Sequence, residues 1–275
     1  MSVSPSHKGK LENDHCGERQ EVMMYFRRGA GFSAVLLMGL LGTTQLASAD
    51  VKGLDGGDHF RVDAISLRRG PLCLTVDPAQ GARISSMTFA GKELMYGEGQ
   101  GSSDNNNWGS TFWLSPQALW GWPPVAAHDS QAYTVTAFDQ HTVSLISEAA
   151  FGASISKKIS LHPENPNRVD IHYSIHADQA FEQIAAWEIT RVPRNGLAFY
   201  PVSGHFLDIT MGEMKYSLGQ ENIVWQALFA ESKPPEGKLV ANGREGWLAW
   251  ASEGMLYVKQ STPVSFANMA KGEGD

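Results

Sequence analysis

Twenty residues from Asn105 to Pro124, NNNWGSTFWLSPQALWGWPP, hold four of the chain's eight tryptophans, Trp108, Trp113, Trp120 and Trp122, together with Pro116, Pro123 and Pro124. A flat indole presents an apolar face on which the C–H face of a sugar ring can stack. Gln117 adds a donor and an acceptor suited to a hydroxyl-rich ligand. Trp120 and Trp122 are the expected platform, because the prolines that follow them stiffen the backbone. A structural reading is compatible with this one: the same aromatics could plug the open end of a β fold. Asn105, Asn106 and Asn107 are ordinary turn formers and are not counted as ligands.

Farther along, Glu188 and Arg191 offer a carboxylate and a guanidinium three residues apart on an expected strand, so they face opposite sides of a sheet. Trp187, Ile189 and Arg191 share one face; Glu188 and Thr190 share the other. Glu188 could accept sugar hydroxyls or act as an acid/base group, or it could be a solvated or Arg-paired strand residue. Arg191 could fork onto hydroxyls or onto an acidic sugar's carboxylate, or form an edge salt bridge. The nine histidines do not suggest a metal site. His172 and His176 lie on one strand face but about 13 Å apart, and no HExxH pattern occurs. Ser115 lacks the flanking glycines of a nucleophile elbow. No metal and no cofactor is expected.

The elements that must position these residues read as strands, with two-residue alternation broken by Gly, Pro, Asn and Asp. They are Val62 to Arg68, Leu72 to Asp77, Arg83 to Phe89, Glu93 to Tyr96, Tyr133 to Asp139, Thr142 to Glu148 and Ala153 to Leu161. Arg168 to Ala177, Glu182 to Val192, Ile223 to Phe229, Lys238 to Ala241, Gly246 to Ala251 and Met255 to Lys259 complete the set. In RVDIHYSIHA, Val169, Ile171, Tyr173 and Ile175 alternate with polar residues, the mark of a half-buried antiparallel strand. The tryptophan-rich stretch, broken by prolines, is expected to be mostly irregular. No stretch of a dozen residues holds an unbroken helical period. A nearly all-β chain of this kind must close as a sandwich or a barrel.

Arg27 and Arg28 precede the apolar run Gly31 to Gly42, which is followed by Ala47-Ser48-Ala49. This pattern predicts an export signal cleaved after Ala49, with Met23-Met24 as a better start than Met1. Residues 1–49 are thus read as signal with an over-extended front, and 50–275 as one domain with no integral membrane segment. Removing residues 1–49 takes five of 22 basic and four of 29 acidic residues, leaving 17 against 25 and a formal charge of −8. That argues against nucleic acid and anionic membranes as partners. Cys73 becomes the only cysteine, which excludes an internal disulfide and a Cys-ligated metal.

LCLTVDPAQGARISSMTFAGKELMYG (Leu72 to Gly97) resembles the opening hairpin of galactose-mutarotase-like proteins. Together with WGSTFWLSPQALWGWPP and AAWEITRVP (Ala185 to Pro193), it is similar to the bacterial family called domain of unknown function 4380, over roughly Leu67 to the end. The resemblance implies an antiparallel β-supersandwich that holds carbohydrate on a concave face. In mutarotases a Glu base near the C-terminus and a His acid open and reclose a sugar ring. Here Trp187 and Glu188 stand where the second histidine of that pattern would be. The chain also stops at GEGD, where relatives continue. Either it is a truncated product or its sandwich lacks the closing strands, and Glu273 is the last carboxylate available. Both departures favour an exported, periplasmic or extracellular carbohydrate-binding protein over the alternative, an aldose epimerase using Glu188. A structural envelope protein is the third reading. The expected substrate-binding set is Trp108, Trp113, Gln117, Trp120, Trp122 and Arg191.

Overall fold

The computed structural model of the protein describes residues 64–100, 107–181, 184–202, 215–228, 243 and 245–261, and the strand backbones at 23–29, 31–37, 207–212 and 237–241. Ala49, Asn105, Asn106 and Glu273 lie outside the described residues.

Strands β1 (Met23–Gly29) and β2 (Gly31–Leu37) form a hairpin within the segment read above as an export signal. Next come β3 (Ile65–Arg69), β4 (Leu72–Asp77), β5 (Arg83–Phe89), β6 (Lys92–Glu93) and β7 (Ser110–Ser115). A single helical turn, α1 (Ala126–Asp129), precedes β8 (Thr134–Phe138), β9 (Thr142–Ile146), β10 (Ala153–Leu161) and β11 (Val169–Ala177). The chain continues through β12 (Ala185–Thr190), β13 (Gly196–Pro201), β14 (Leu207–Gly212), β15 (Ser217–Leu218) and β16 (Ile223–Leu228). It ends in β17 (Gly237–Ala241), β18 (Trp247–Ser252) and β19 (Met255–Gln260).

All the strand pairings are antiparallel. One sheet runs β1-β2-β11-β10-β9-β8, a second β12-β7-β5-β4-β3 with β6 on β5, and a third β15-β16-β13-β18-β19, while β14 pairs with β17. The fold class is therefore all-β, as expected. A single apolar core joins the first two sheets and takes in Trp250 and Tyr257 from the third. Phe112 of β7 stacks on Tyr173 of β11, with ring centroids 4.1 Å apart, at the centre of this sandwich-like layer. No helix among the described residues is long and apolar enough to cross a membrane.

The clearest departure from expectation is β7. The stretch around it was expected to be irregular, but all six residues of STFWLS are buried in a strand between β5 and β12. A strand covered on both faces has no alternation to read. Pro116 ends it, and Gln117–Leu119 forms a single 3-10 turn. A second departure is the strand expected over Glu93 to Tyr96, which shrinks to Lys92–Glu93. The Glu93 carboxylate explains this, since one of its oxygens accepts N–H bonds from Met87, Leu94 and Met95 at 3.0, 3.1 and 2.9 Å. The side chain thus competes with backbone acceptors for donors here, sharing the Leu94 N–H with the Met87 carbonyl at 2.8 Å. Strands β13, β14 and β15 were also not expected.

Two glycines set how closely the layers meet. Gly81 has φ +71°, and a Cβ there would sit 1.9 Å from the backbone oxygen of Asp129. At Gly109, φ +62°, a Cβ would lie 2.4 Å from the Ile84 oxygen. Only glycine permits both the left-handed backbone and the approach.

Candidate functional site: a tryptophan cluster on a buried polar girdle

The register of β7 against β12 places Trp113 opposite Trp187 and Phe112 opposite Glu188. Side chains alternate across a sheet, so the tryptophans share one face while Phe112 and Glu188 share the other. On the tryptophan face, Trp113 is the hub. Its ring packs edge-on against Trp187, Trp120 and Trp122 at 5.3, 5.8 and 6.2 Å between centroids. The Arg191 guanidinium lies 5.5 Å from the Trp113 ring centroid.

Exposure then sorts the cluster. Trp113 is 5% exposed and Trp122 is 55% exposed. Trp120 is half-buried, and its Nε1–H donates to the Leu114 carbonyl at 2.8 Å. Ala118, Leu119, Gly121, Trp122 and Pro123 are all exposed and form an apolar tip beside the hub. Gln117 is half-buried at the base of this tip, where its carbonyl accepts the N–H groups of Trp120 and Gly121.

Of the residues expected to touch ligand, Trp108 and Trp113 are buried. Trp108 is 4% exposed, with the Arg83 guanidinium 4.5 Å from its ring centroid. It packs the interior and offers no free face. Trp113 is enclosed by its neighbours and serves to hold Trp122. Arg191 stands beside the cluster but is already committed: it donates to the Asn107 Oδ1 and Thr111 Oγ1 at 3.1 Å each and to the Trp108 carbonyl at 3.3 Å.

Beneath the hub lies a polar girdle that the sequence reading did not anticipate. The Trp113 Nε1–H donates to Asp129 Oδ1 at 2.7 Å, and the same oxygen pairs with Arg83 Nη2 at 3.3 Å. Both charged side chains are 1% exposed. Arg83 Nη1 also donates to the Trp108 carbonyl at 2.9 Å. Burial pushes the Arg83 pKa down while Asp129 opposes it. His128 faces the Ala153 carbonyl at 3.0 Å, so its Nε2 carries a hydrogen and donates, and burial lowers its pKa. Tyr133 donates its hydroxyl to the His128 carbonyl at 3.0 Å.

Lys157 of β10 enters this girdle from the facing sheet. Its Nζ donates to the Gly81 carbonyl at 2.6 Å and lies 4.7 Å from the Tyr133 ring centroid. Burial, reinforced by Arg83, pushes its pKa down to about 7. Between that value and the unfolded value of 10.5 the unfolded chain holds a proton that the native state has released, so stability rises with pH in this window. Raising the pH from about 7 to 9 is expected to add about 2 kcal/mol through Lys157. Urea titrations at both pH values measure the gain, and a Lys157→Met protein with the same pH slope as wild type would contradict the assignment.

Glu188 is not brought to the tryptophans. It points into the sandwich, where it is ion-paired with Lys259 of β19 and accepts hydrogen bonds from Ser110 Oγ at 2.5 Å and Thr190 Oγ1 at 2.9 Å. Lys259 also donates to Thr190 Oγ1 at 2.7 Å. Burial lowers the Lys259 pKa against the pull of Glu188. Burial also raises the pKa values of Tyr173 and Tyr257, with the Glu188 charge adding to both shifts.

A cleft of about 90 Å³ opens elsewhere, between Leu94, Arg194, Trp250, Glu253 and Tyr257, and none of the expected ligand residues lines it. Among the described residues no cluster of three or more His, Cys, Asp or Glu could hold a metal. Compared with protein-family models, with curated proteins and with solved structures, the chain matches none.

Proposed function

We propose that this protein is an exported carbohydrate-binding protein of galactose-mutarotase-like ancestry, and that the tip carrying Trp122 is its contact surface. One observation carries the reading: an indole 55% exposed is anchored edge-on to a buried tryptophan whose own nitrogen is hydrogen-bonded to a buried carboxylate. An exposed large apolar side chain needs no explanation when it stands alone. This one is pre-positioned by Trp113 and by the Asp129–Arg83 pair behind it, and pre-positioning lowers the ordering cost of binding. The all-β antiparallel architecture is compatible with that ancestry. The epimerase alternative has less support, because Glu188 lies on the opposite face of β12 and is already paired.

Trp122→Ala is expected to weaken saccharide binding by about tenfold or more, equivalent to about 1.4 kcal/mol, while leaving the thermal midpoint within a few degrees of wild type. Isothermal titration together with a thermal melt measures both. Unchanged affinity in a folded variant would remove the tip from the binding site.

A further inference from the structure

We infer that the ligand of the tryptophan tip is an uncharged polysaccharide chain, read as a surface, and neither an acidic glycan nor a free monosaccharide; the inference rests on the carbohydrate reading above. The argument begins with the nearest cation. Arg191 is the basic residue beside the hub, and its guanidinium already serves a carbonyl, a hydroxyl, a side-chain amide and the Trp113 ring. Binding a uronate carboxylate would require Arg191 to leave the Asn107 and Thr111 side chains and to uncover Trp113. The other guanidinium of the region, Arg83, is 1% exposed and paired with Asp129. Arg191 is therefore a positioning residue for the segment from Asn107 to Thr111, and neither it nor Arg83 is offered to an acidic sugar.

The tip itself carries no charge. From Ala118 to Pro123 the side chains are alanine, leucine, tryptophan, hydrogen, tryptophan and proline, and all but Trp120 are exposed. The chain as a whole has a formal charge of −7, which repels polyanions at long range.

Shape supplies the second half of the inference. A small-molecule site is concave and buries most of its ligand. Trp122 instead stands out from the surface, and Leu119, 43% exposed, extends the same apolar tip. Trp122 meets Trp113 at an interplanar angle of 76°, not in a parallel stack, and keeps over half of its surface exposed. Such a ring can engage the flat face of successive sugar units in a chain, whereas one isolated ring would gain a single contact and no enclosure. A bilayer interface also takes in tryptophan and leucine, but an indole locked against a hub suits a stacked ligand better than a fluid one.

Titration calorimetry of the full chain against four probes tests this: a soluble neutral glucan, a polyuronate of matched length, free glucose, and phosphatidylcholine vesicles. The neutral glucan is expected to bind at least tenfold more tightly than the polyuronate or glucose, with affinity changing less than twofold between about 50 and 500 mM salt. Trp122→Ala should lose tenfold, and Trp122→Phe, which keeps a flat ring, should stay within threefold of wild type. Equal or tighter binding of the polyuronate, or of glucose, overturns this inference and leaves the carbohydrate reading standing. Binding to none of the three saccharides, or to vesicles alone, overturns both.

Discussion

Replacing Asp129 by alanine is expected to cost about 3–5 kcal/mol of folding stability, among the largest effects of any single change outside the apolar core. Asp129 Oδ1 accepts from the Trp113 indole and pairs with Arg83, and all three side chains are buried. Without the carboxylate the guanidinium remains in the interior, held by the neutral carbonyls of Trp108 and Asp129. Removing one member of a buried pair leaves a charge that neither water nor protein compensates. Asp129→Asn keeps an acceptor oxygen but removes the charge, and it should lose roughly half as much, since hydrogen bonds to charged groups are about twice as strong as neutral ones. Urea unfolding of both variants gives the magnitudes. Because Trp113 is the hub of the cluster, tryptophan fluorescence of folded Asp129→Ala should shift relative to wild type. An alanine variant within 1 kcal/mol of wild type would show that the girdle is not what fixes the hub.

How much of this was readable beforehand depends on whether a residue's surroundings leave a trace in its neighbours. β11 was legible because one of its faces is wet: Val169, Ile171 and Tyr173 are buried while Asp170, His172 and Ser174 are not. β4, β5 and β10 were read with their ends correct for the same reason, alternation bounded by turns. β7 left no such trace because it is buried on both faces. β13 is half-buried from Gly196 to Tyr200, so it shows no period either.

The site divides along the same line. That Trp122 would stand at an exposed tip follows from a Gly and two prolines around it. That Trp113 and Trp108 would be interior depended on Asp129 and Arg83, which are distant in sequence. A signal did exist. Lys157 occupies an inward position of β10, in step with Ala153, Ile155, Ile159 and Leu161, and a lysine in that phase implies a buried polar partner.

Glu188 and Lys259 carry the same signal, and from it comes the second large effect. Glu188 falls in phase with Ala186 and Thr190, and Lys259 with Tyr257, so alternation alone turns both side chains into one interior. Glu188→Leu is expected to cost about 3–5 kcal/mol, because it leaves a buried lysine, hydrogen-bonded to the Thr190 hydroxyl, without the carboxylate that balances its charge. Lys259→Met should cost less, since Glu188 keeps the donors of Ser110 and Thr190. The double variant should recover much of the loss, giving an interaction energy of about 2 kcal/mol or more in a double-mutant cycle, because a well-packed apolar pair can replace a buried ion pair at little cost. These substitutions also separate the two sides of β12. Each folded variant should bind saccharide as wild type does, because Trp187 and Arg191 face away from the pair. A folded Lys259→Met protein that loses binding tenfold would place the ligand against the interior pair, and the tryptophan tip would then be a support and not the contact surface.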